Sequence, residues 1–319
     1  MIGLQVPVNT SALLINQYYQ HGSIVRMNQA DYLPLTLYGS AGFEGATAQV
    51  GVHTIYSGAS IPGGMSKNFK SFKLKRGFMA TLATNTNGTG KSQVFIASEK
   101  DLELTDLPAS LNGNVSFIRV MPWNWASNKG TGGYFPGNPL DAGWFYTWSA
   151  TQNTQLNYEY VPMTWGAGTT NPADMQSIVD KNNVTHLLGF NKSDNCSGES
   201  GQFLNLCKPD VAVAYYERLM GSGLRLGTPA PRENGPTTWL RKFAALAKQR
   251  DVRFDFVALH WYDWGSNPAN SPNASLKLFL EGSKTICSKY IMNTNCRSGS
   301  RNSTPTPTVQ TVHKLHSCN

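Results

Sequence analysis

Charge is scarce in this sequence. Only 14% of its 319 residues are Asp, Glu, Lys or Arg, against 40% hydrophobic and 11% aromatic residues. Disordered chains are charge-rich and aromatic-poor, so disorder along the whole chain is excluded. No apolar run reaches the roughly 18 residues that a membrane helix needs. Residues 1–30 lack the basic n-region, apolar core and cleavage site of a signal peptide, and a clipped start leaves export open. Cysteine is sparse, at five residues, and no Cys/His spacing matches a zinc site.

What charge there is sits at one end. The formal net charge is +8, and Lys277, Lys284, Lys289, Arg297, Arg301 and Lys314 face only Glu281 in the last 44 residues. No basic stripe interleaves with aromatics, so neither nucleic acid nor a membrane is read as a partner. Cys287, Cys296 and Cys318 fall in the same tail. Cys196 and Cys207 lie close together in the body. They read either as a disulfide across a loop, which implies an oxidising compartment, or as two free thiols.

Three regimes follow a leader of residues 1–34. Residues 35–122 carry short alternating runs broken by Gly and Asn: Leu35–Tyr38, Phe72–Leu74, Met79–Leu82, Val94–Ala97 and Val115–Val120. Evenly spaced short strands predict a β-sandwich. In residues 123–275, apolar strands alternate with helix-length segments. Trp125–Lys129 is counted as the approximate first strand, followed by Trp144–Trp148, Tyr160–Trp165, His186–Asn191, Leu224–Gly227 and Phe256–Trp261. Helices are predicted over Pro172–Asn182, Asp210–Met220 and Thr237–Arg250. The last places Trp239, Phe243, Leu246 and Ala247 on one face, with Thr237 or Thr238 as its cap. Such alternation predicts a parallel sheet. Its strand ends carry Trp148, Trp165 and Trp261, and indole faces suit the C–H faces of sugars. In residues 276–319 periodicity fades.

The runs Gly189-Phe190-Asn191-Lys192-Ser193-Asp194-Asn195 and Val257-Ala258-Leu259-His260-Trp261-Tyr262, with Phe145-Tyr146-Thr147-Trp148 and Leu226-Gly227-Thr228-Pro229-Ala230-Pro231, resemble the glycosyl hydrolase catalytic cores of glycoside hydrolase family 128. The resemblance implies a (β/α)8 TIM barrel, a retaining mechanism and a β-1,3-glucan substrate, and an extracellular setting. Retaining glycosidases need a carboxylic acid and a carboxylate about 5–5.5 Å apart. The family places one Glu in G-F-N-E at the fourth strand end and one in W-I-T-E-F at the seventh. Here Lys192 stands at the acid/base position after Asn191, which matches the family's 2-OH-binding Asn. Trp148, Trp165, His260, Trp261 and Tyr262 match sugar-binding positions. Lys has a reference pKa of about 10.4 and supplies no carboxylate. Asp194, Glu199, Glu233 and Asp263 are the other carboxylates near the expected mouth.

Nothing after residue 275 spells W-I-T-E-F. Yet codons chosen to encode Asn295–Thr308, read from their third base, translate as L-P-I-W-I-T-E-F-N-A-N-P-N. The tail is therefore read as an out-of-frame translation, which accounts together for its charge, cysteines and lost periodicity. The expected barrel is then incomplete, with six of eight strands and two open edges that favour aggregation.

The N-terminal runs Leu35-Thr36-Leu37-Tyr38, Phe43-Glu44-Gly45 and Phe72-Lys73-Leu74 resemble a βγ-crystallin Greek key, with a second copy running from Phe78 to Ile118. Many such domains bind calcium through N/D-N/D-x-x-S/T-S. The matching stretches are Lys67–Phe72 and Asn112–Phe117, where Lys67, Phe72 and Phe117 depart from the pattern, so a calcium (Ca) site is a weak expectation. Two functions are carried forward. One is a retaining β-1,3-glucanase homologue with its catalytic pair lost. The alternative is a non-catalytic carbohydrate-binding protein. A calcium-loaded structural module is a third reading.

Overall fold

The computed structural model describes residues 32–123, 130–140, 142–152, 158–181, 184–232 and 235–260, with the backbone of 13–14, 25–26 and 316–317. The chain divides into two compact units. One comprises Met1–Trp125 with Gln155–Glu159, the other Ala126–Thr154 with Tyr160–Asn319.

The first unit holds two four-stranded antiparallel sheets. One runs in the order Thr47–Val50, Leu35–Tyr38, Ser71–Leu74, Leu102–Leu104. The other runs Ile55–Ser57, Phe117–Pro122, Phe78–Ala83, Ser92–Ala97. Period-two burial marks Leu35–Tyr38 and Thr47–Val50, since successive side chains of a strand point to opposite faces, whereas Phe78–Ala83 and Phe117–Pro122 are buried throughout. Leu35 and Leu37 are buried while Thr36 and Tyr38 are half-exposed, and Ala48 and Val50 alternate with exposed Thr47 and Gln49. Leu35 pairs with Val50 on one side and Leu74 on the other. The inward residues of both sheets, including Leu37, Phe72, Phe78, Leu82, Ile118 and Val120, form one core. Thr47–Val50, Ile55–Ser57 and Leu102–Leu104 extend the strands expected from sequence. Each has four residues or fewer, too short for alternation to stand out against the turns beside it.

The second unit is parallel. Gly130–Gly132 pairs with Trp144–Tyr146, and His186–Leu187 pairs with Arg225–Leu226. Single parallel bridges join Met163 to Leu188, Asn191 to Ala230 and Gly227 to Phe256. The predicted run Tyr160–Trp165 is a strand only over Glu159–Tyr160, because Pro162 has no N–H for a ladder. Its carbonyl still accepts from the Leu188 N–H at 2.9 Å. Trp125–Lys129 lies outside the described residues, and the first described parallel strand is the Gly-Thr-Gly run 130–132. Gly189 is forced by closeness: a Cβ there would stand 2.8 Å from the Gly227 carbonyl oxygen.

Three helices alternate with these strands: α1 Pro172–Val179, α2 Pro209–Tyr216 and α3 Trp239–Gln249. Asn171 caps α1, accepting from the Asp174 N–H at 3.0 Å. The predicted α2 extension to Met220 is tighter helix over Glu217–Ser222, ended by left-handed Gly223. In α3 the buried face is Trp239, Leu240, Phe243, Ala244 and Ala247. Leu246, predicted on that face, is half-buried, and Thr238 holds the cap position without a side-chain cap bond. Tyr216 knits this layer to the sheet. Its ring meets Phe190 and Phe243 edge-on, and its hydroxyl donates to the Gly227 carbonyl at 2.7 Å.

The expectation of two open sheet edges needs a correction. His316–Ser317 pairs antiparallel with Phe256–Val257, so two residues of the C-terminal segment cover part of one flank. Among the described residues no helix is long and apolar enough to cross a membrane.

Candidate functional site

Parallel strands bring their C-terminal ends to one side of a sheet, and in such folds ligands bind there. Trp165 follows Met163, Asn191 follows His186–Leu187, Ala230 follows Arg225–Leu226, and His260 follows Phe256–Val257. The backbone ties three of them together. Asn191 N–H donates to the Trp165 carbonyl at 2.9 Å, and Lys192 N–H donates to the Ala230 carbonyl at 2.7 Å.

Asn191 is 3% exposed and His260 1%. The Asn191 amide oxygen lies 3.0 Å from His260 Nε2. An amide oxygen only accepts, so Nε2 carries the proton. The Asn191 amide nitrogen donates to Glu199 Oε2 at 3.4 Å. Lys192 Nζ donates to Glu199 Oε1 at 3.2 Å, with the two side chains 24% and 38% exposed. Asn191, Lys192, Glu199 and His260 therefore form one cluster.

Glu199 arrives on the loop between Cys196 and Cys207, which are joined by a disulfide with Cα atoms 5.1 Å apart. The loop is held at several points. Ser200 Oγ donates to the Asn191 carbonyl at 2.5 Å, Trp239 Nε1 donates to the Cys207 carbonyl at 2.7 Å, and Leu206 is fully buried. Gly201 permits the close approach: a Cβ there would meet the Asn195 and Ser193 carbonyl oxygens at 2.4 and 2.5 Å. Lys192 and Glu199 both sit in left-handed backbone, at φ 46° and 52°. This aims their side chains at each other from across the turn.

The remaining sequence-nominated residues take no part in the side-chain hydrogen bonds of this cluster among those described. Trp165 is half-buried, packs on the core of Trp144, Tyr146 and Met163, and meets the Phe203 ring at 6.1 Å. Trp148 is 43% exposed and touches Tyr146 edge-on. Asp194 is spent on Arg232, accepting from its N–H at 2.9 Å and its Nε at 3.2 Å. Trp261, Tyr262, Glu233 and Asp263, like residues 295–308, lie outside the described residues. Sequence reasoning missed Phe203, and named Glu199 as one of four carboxylates near the mouth without its partnership with Lys192. Their signal is the bracket Cys196…Cys207, which encloses both.

Side chains of the two N-terminal calcium-like stretches make contacts within the protein. Lys67 brings a cation, Asn68 donates its amide to the Gly64 carbonyl, and Ser71 Oγ donates to the Ser40 carbonyl at 2.6 Å. In the second stretch Asn114 donates its amide to the Asn112 carbonyl, and Phe117 is buried. Calcium wants several converging oxygens. Among the described residues no group of three or more His, Cys, Asp or Glu is arranged to hold a metal.

Parallel strands alternating with helices, with polar and aromatic groups at the strand ends, define a β/α unit of the kind that carries enzyme sites. The chain belongs to the glycosyl hydrolase catalytic core family, whose model matches residues 122–282. A solved GH128 (subgroup I) endo-β-1,3-glucanase from Amycolatopsis mediterranei, in complex with laminaritriose, is 27% identical. The match covers 51% of this chain and 68% of that one, at a TM-score of 0.42. A mutant of that enzyme with laminaripentaose is 28% identical over the same shares, at 0.42. A βγ-crystallin domain from Flavobacterium johnsoniae is 25% identical, covering 28% of this chain and 94% of that one, at 0.25. No curated protein matches the chain.

Proposed function

We propose that this chain is a homologue of retaining endo-β-1,3-glucanases, built on an incomplete β/α barrel, that engages β-1,3-glucan without hydrolysing it. The observation that carries this is Lys192, the residue after Asn191 at a strand end, bound to Glu199 at 3.2 Å. Retention requires one group to protonate the leaving oxygen and then to deprotonate water, and an ammonium does neither half of that cycle well at neutral pH. Glu199 is engaged by both Lys192 and Asn191. The nucleophile strand of the family pattern has no counterpart in the sequence after residue 275, and an out-of-frame tail is the account of that loss we favour. The Cys196–Cys207 disulfide supports an oxidising, extracellular setting.

The second reading is a carbohydrate-binding protein with no catalytic role. The half-buried Trp165 beside the exposed Phe203 favours it, because rings at the surface bind sugars without chemistry.

The test is reducing-sugar release from laminarin by the full chain, run beside laminarin retardation in native gels. Retardation without sugar release is expected. Turnover that disappears in Asn191→Ala would overturn the first reading. Sequencing the gene through the codons for residues 275–319 tests the tail: absence of W-I-T-E-F in the shifted frame removes that explanation.

A further inference from the structure

We infer that Phe203 is a sugar-stacking residue that sets glucan affinity, presented by the disulfide-closed loop 196–207. This rests on the β-glucan reading above and names the surface that would recognise the sugar ring. Phe203 and Leu204 are each 54% exposed. Single exposed apolar residues are ordinary on protein surfaces, so exposure alone assigns nothing. The placement is what matters.

Phe203 stands 6.1 Å, centroid to centroid, from Trp165, with the ring planes at 52°. Trp165 is fixed from behind by the core containing Trp144, Tyr146 and Met163, and its carbonyl accepts the Asn191 N–H. Four and three residues before Phe203, the same loop sends Glu199 to Lys192 and Ser200 to the Asn191 carbonyl. An aromatic pair and a polar cluster of Asn191, Lys192 and Glu199 therefore adjoin on one strand-end surface. A pyranose offers the matching chemistry: apolar C–H faces for rings, and a rim of hydroxyls that both donate and accept.

The loop explains how a ring comes to be there. The disulfide closes it, and Leu204 and Asn205 follow in left-handed backbone, at φ 52° and 57°. The chain turns sharply after Phe203 and drops Leu206 into the core, where it is fully buried. Phe203 and Leu204 stay outside while Leu206 goes in.

The experiment measures laminarihexaose binding to the full chain by titration calorimetry, with Phe203→Ala, Phe203→Trp and Leu204→Ala beside wild type. Phe203→Ala is expected to raise Kd about tenfold, the loss of one aromatic contact, at unchanged melting temperature. Phe203→Trp is expected to bind at least as well as wild type, and Leu204→Ala within twofold. Wild-type binding with Phe203→Ala unchanged overturns this inference and leaves the proposed function standing. Equal losses in Phe203→Ala and Leu204→Ala also overturn it, because they point to a loop collapse rather than to stacking. No binding by wild type overturns the proposed function, and this inference falls with it.

Discussion

Removing the disulfide tests whether the loop holds the site or merely decorates it. The double change Cys196→Ser with Cys207→Ser opens a bridge between residues 11 apart in sequence. The chain-entropy relation for a closed loop of that size gives roughly 9 cal/mol/K, or about 2.8 kcal/mol at 25 °C. Two features set the outcome near that value. The loop's other anchors, Ser200 on the Asn191 carbonyl and Trp239 on the Cys207 carbonyl, survive the change. Serine also fits both positions without crowding. For a unit of about 150–200 residues, 1 kcal/mol moves Tm by roughly 2–4 °C, so the transition of the second unit should fall by about 6–11 °C. Differential scanning calorimetry of the full chain reads this, because the all-β unit contains neither cysteine and its transition serves as an internal reference. Hydrogen exchange of the 196–207 amides should rise in the same variant. A shift below 2 °C with unchanged exchange would refute the idea that the disulfide fixes the loop. So would free thiols at both cysteines in the native wild-type chain.

Three further outcomes follow from particular contacts. Tyr216→Phe removes a fully buried hydroxyl and orphans its bond to Gly227; a loss of about 1–2 kcal/mol in urea unfolding is expected, and a change under 0.5 would show the bond to be dispensable. Gly201→Ala pushes a methyl against two carbonyl oxygens; backbone cannot yield as a side-chain tip does, so a loss of about 1–3 kcal/mol is expected, with glucan binding weakened because Glu199 is displaced. Asp101 is a pH probe. Burial raises its carboxyl, but Lys75 and the Arg76 N–H outweigh that and hold it below the ordinary carboxylate range. Asp101 in turn holds Lys75 above the usual lysine range through their hydrogen bond. The Asp101 contribution is complete above its unfolded pKa of about 4 and fades as pH falls through the lower folded value. The Lys75 contribution is complete below about 10.4 and fades as pH rises through the higher folded value. Both side chains are largely exposed, at 60% and 45%, and solvent screening leaves at most about 1 kcal/mol. Asp101→Asn should therefore lower Tm by a few degrees between pH 5 and 9 and by nothing near pH 2. An equal drop at pH 2 would mean that the loss is steric.

Where the chain repeats a period, its sequence already discloses the structure. Alternation at Leu35–Tyr38 and the 3.6-residue rhythm from Trp239 to Ala247 are both enough to orient an element, because burial follows directly from them. Leu246 marks the limit: the period places it at the edge of the apolar stripe, and only packing decides that Leu240 and Ala244 complete the buried face instead. The site divides in the same way. Asn191 and Lys192 are legible because they end a strand. Glu199 is not, because its partnership with Lys192 depends on two left-handed residues seven apart and a loop folded back by Gly201. No periodicity encodes such a turn. Phe203 is hidden for the same reason: it faces outward only because the backbone reverses at Leu204 and Asn205.

The Lys192–Glu199 pair also explains how this partly buried strand end tolerates a cation. A lone ammonium at a partly buried strand end beside Asn191 would face a desolvation cost with no return. Glu199 supplies the opposite charge at 3.2 Å while both groups keep contact with solvent, so the pair is close to neutral in stability. It follows that Glu199→Gln should unsettle this site more than Lys192→Met. The first takes the Glu199 charge away from the ammonium next to Asn191, whereas the second leaves a carboxylate that still accepts from the Asn191 amide. Lower stability for Lys192→Met than for Glu199→Gln, read by urea unfolding at pH 7, would show that the pair is not what makes Lys192 tolerable here.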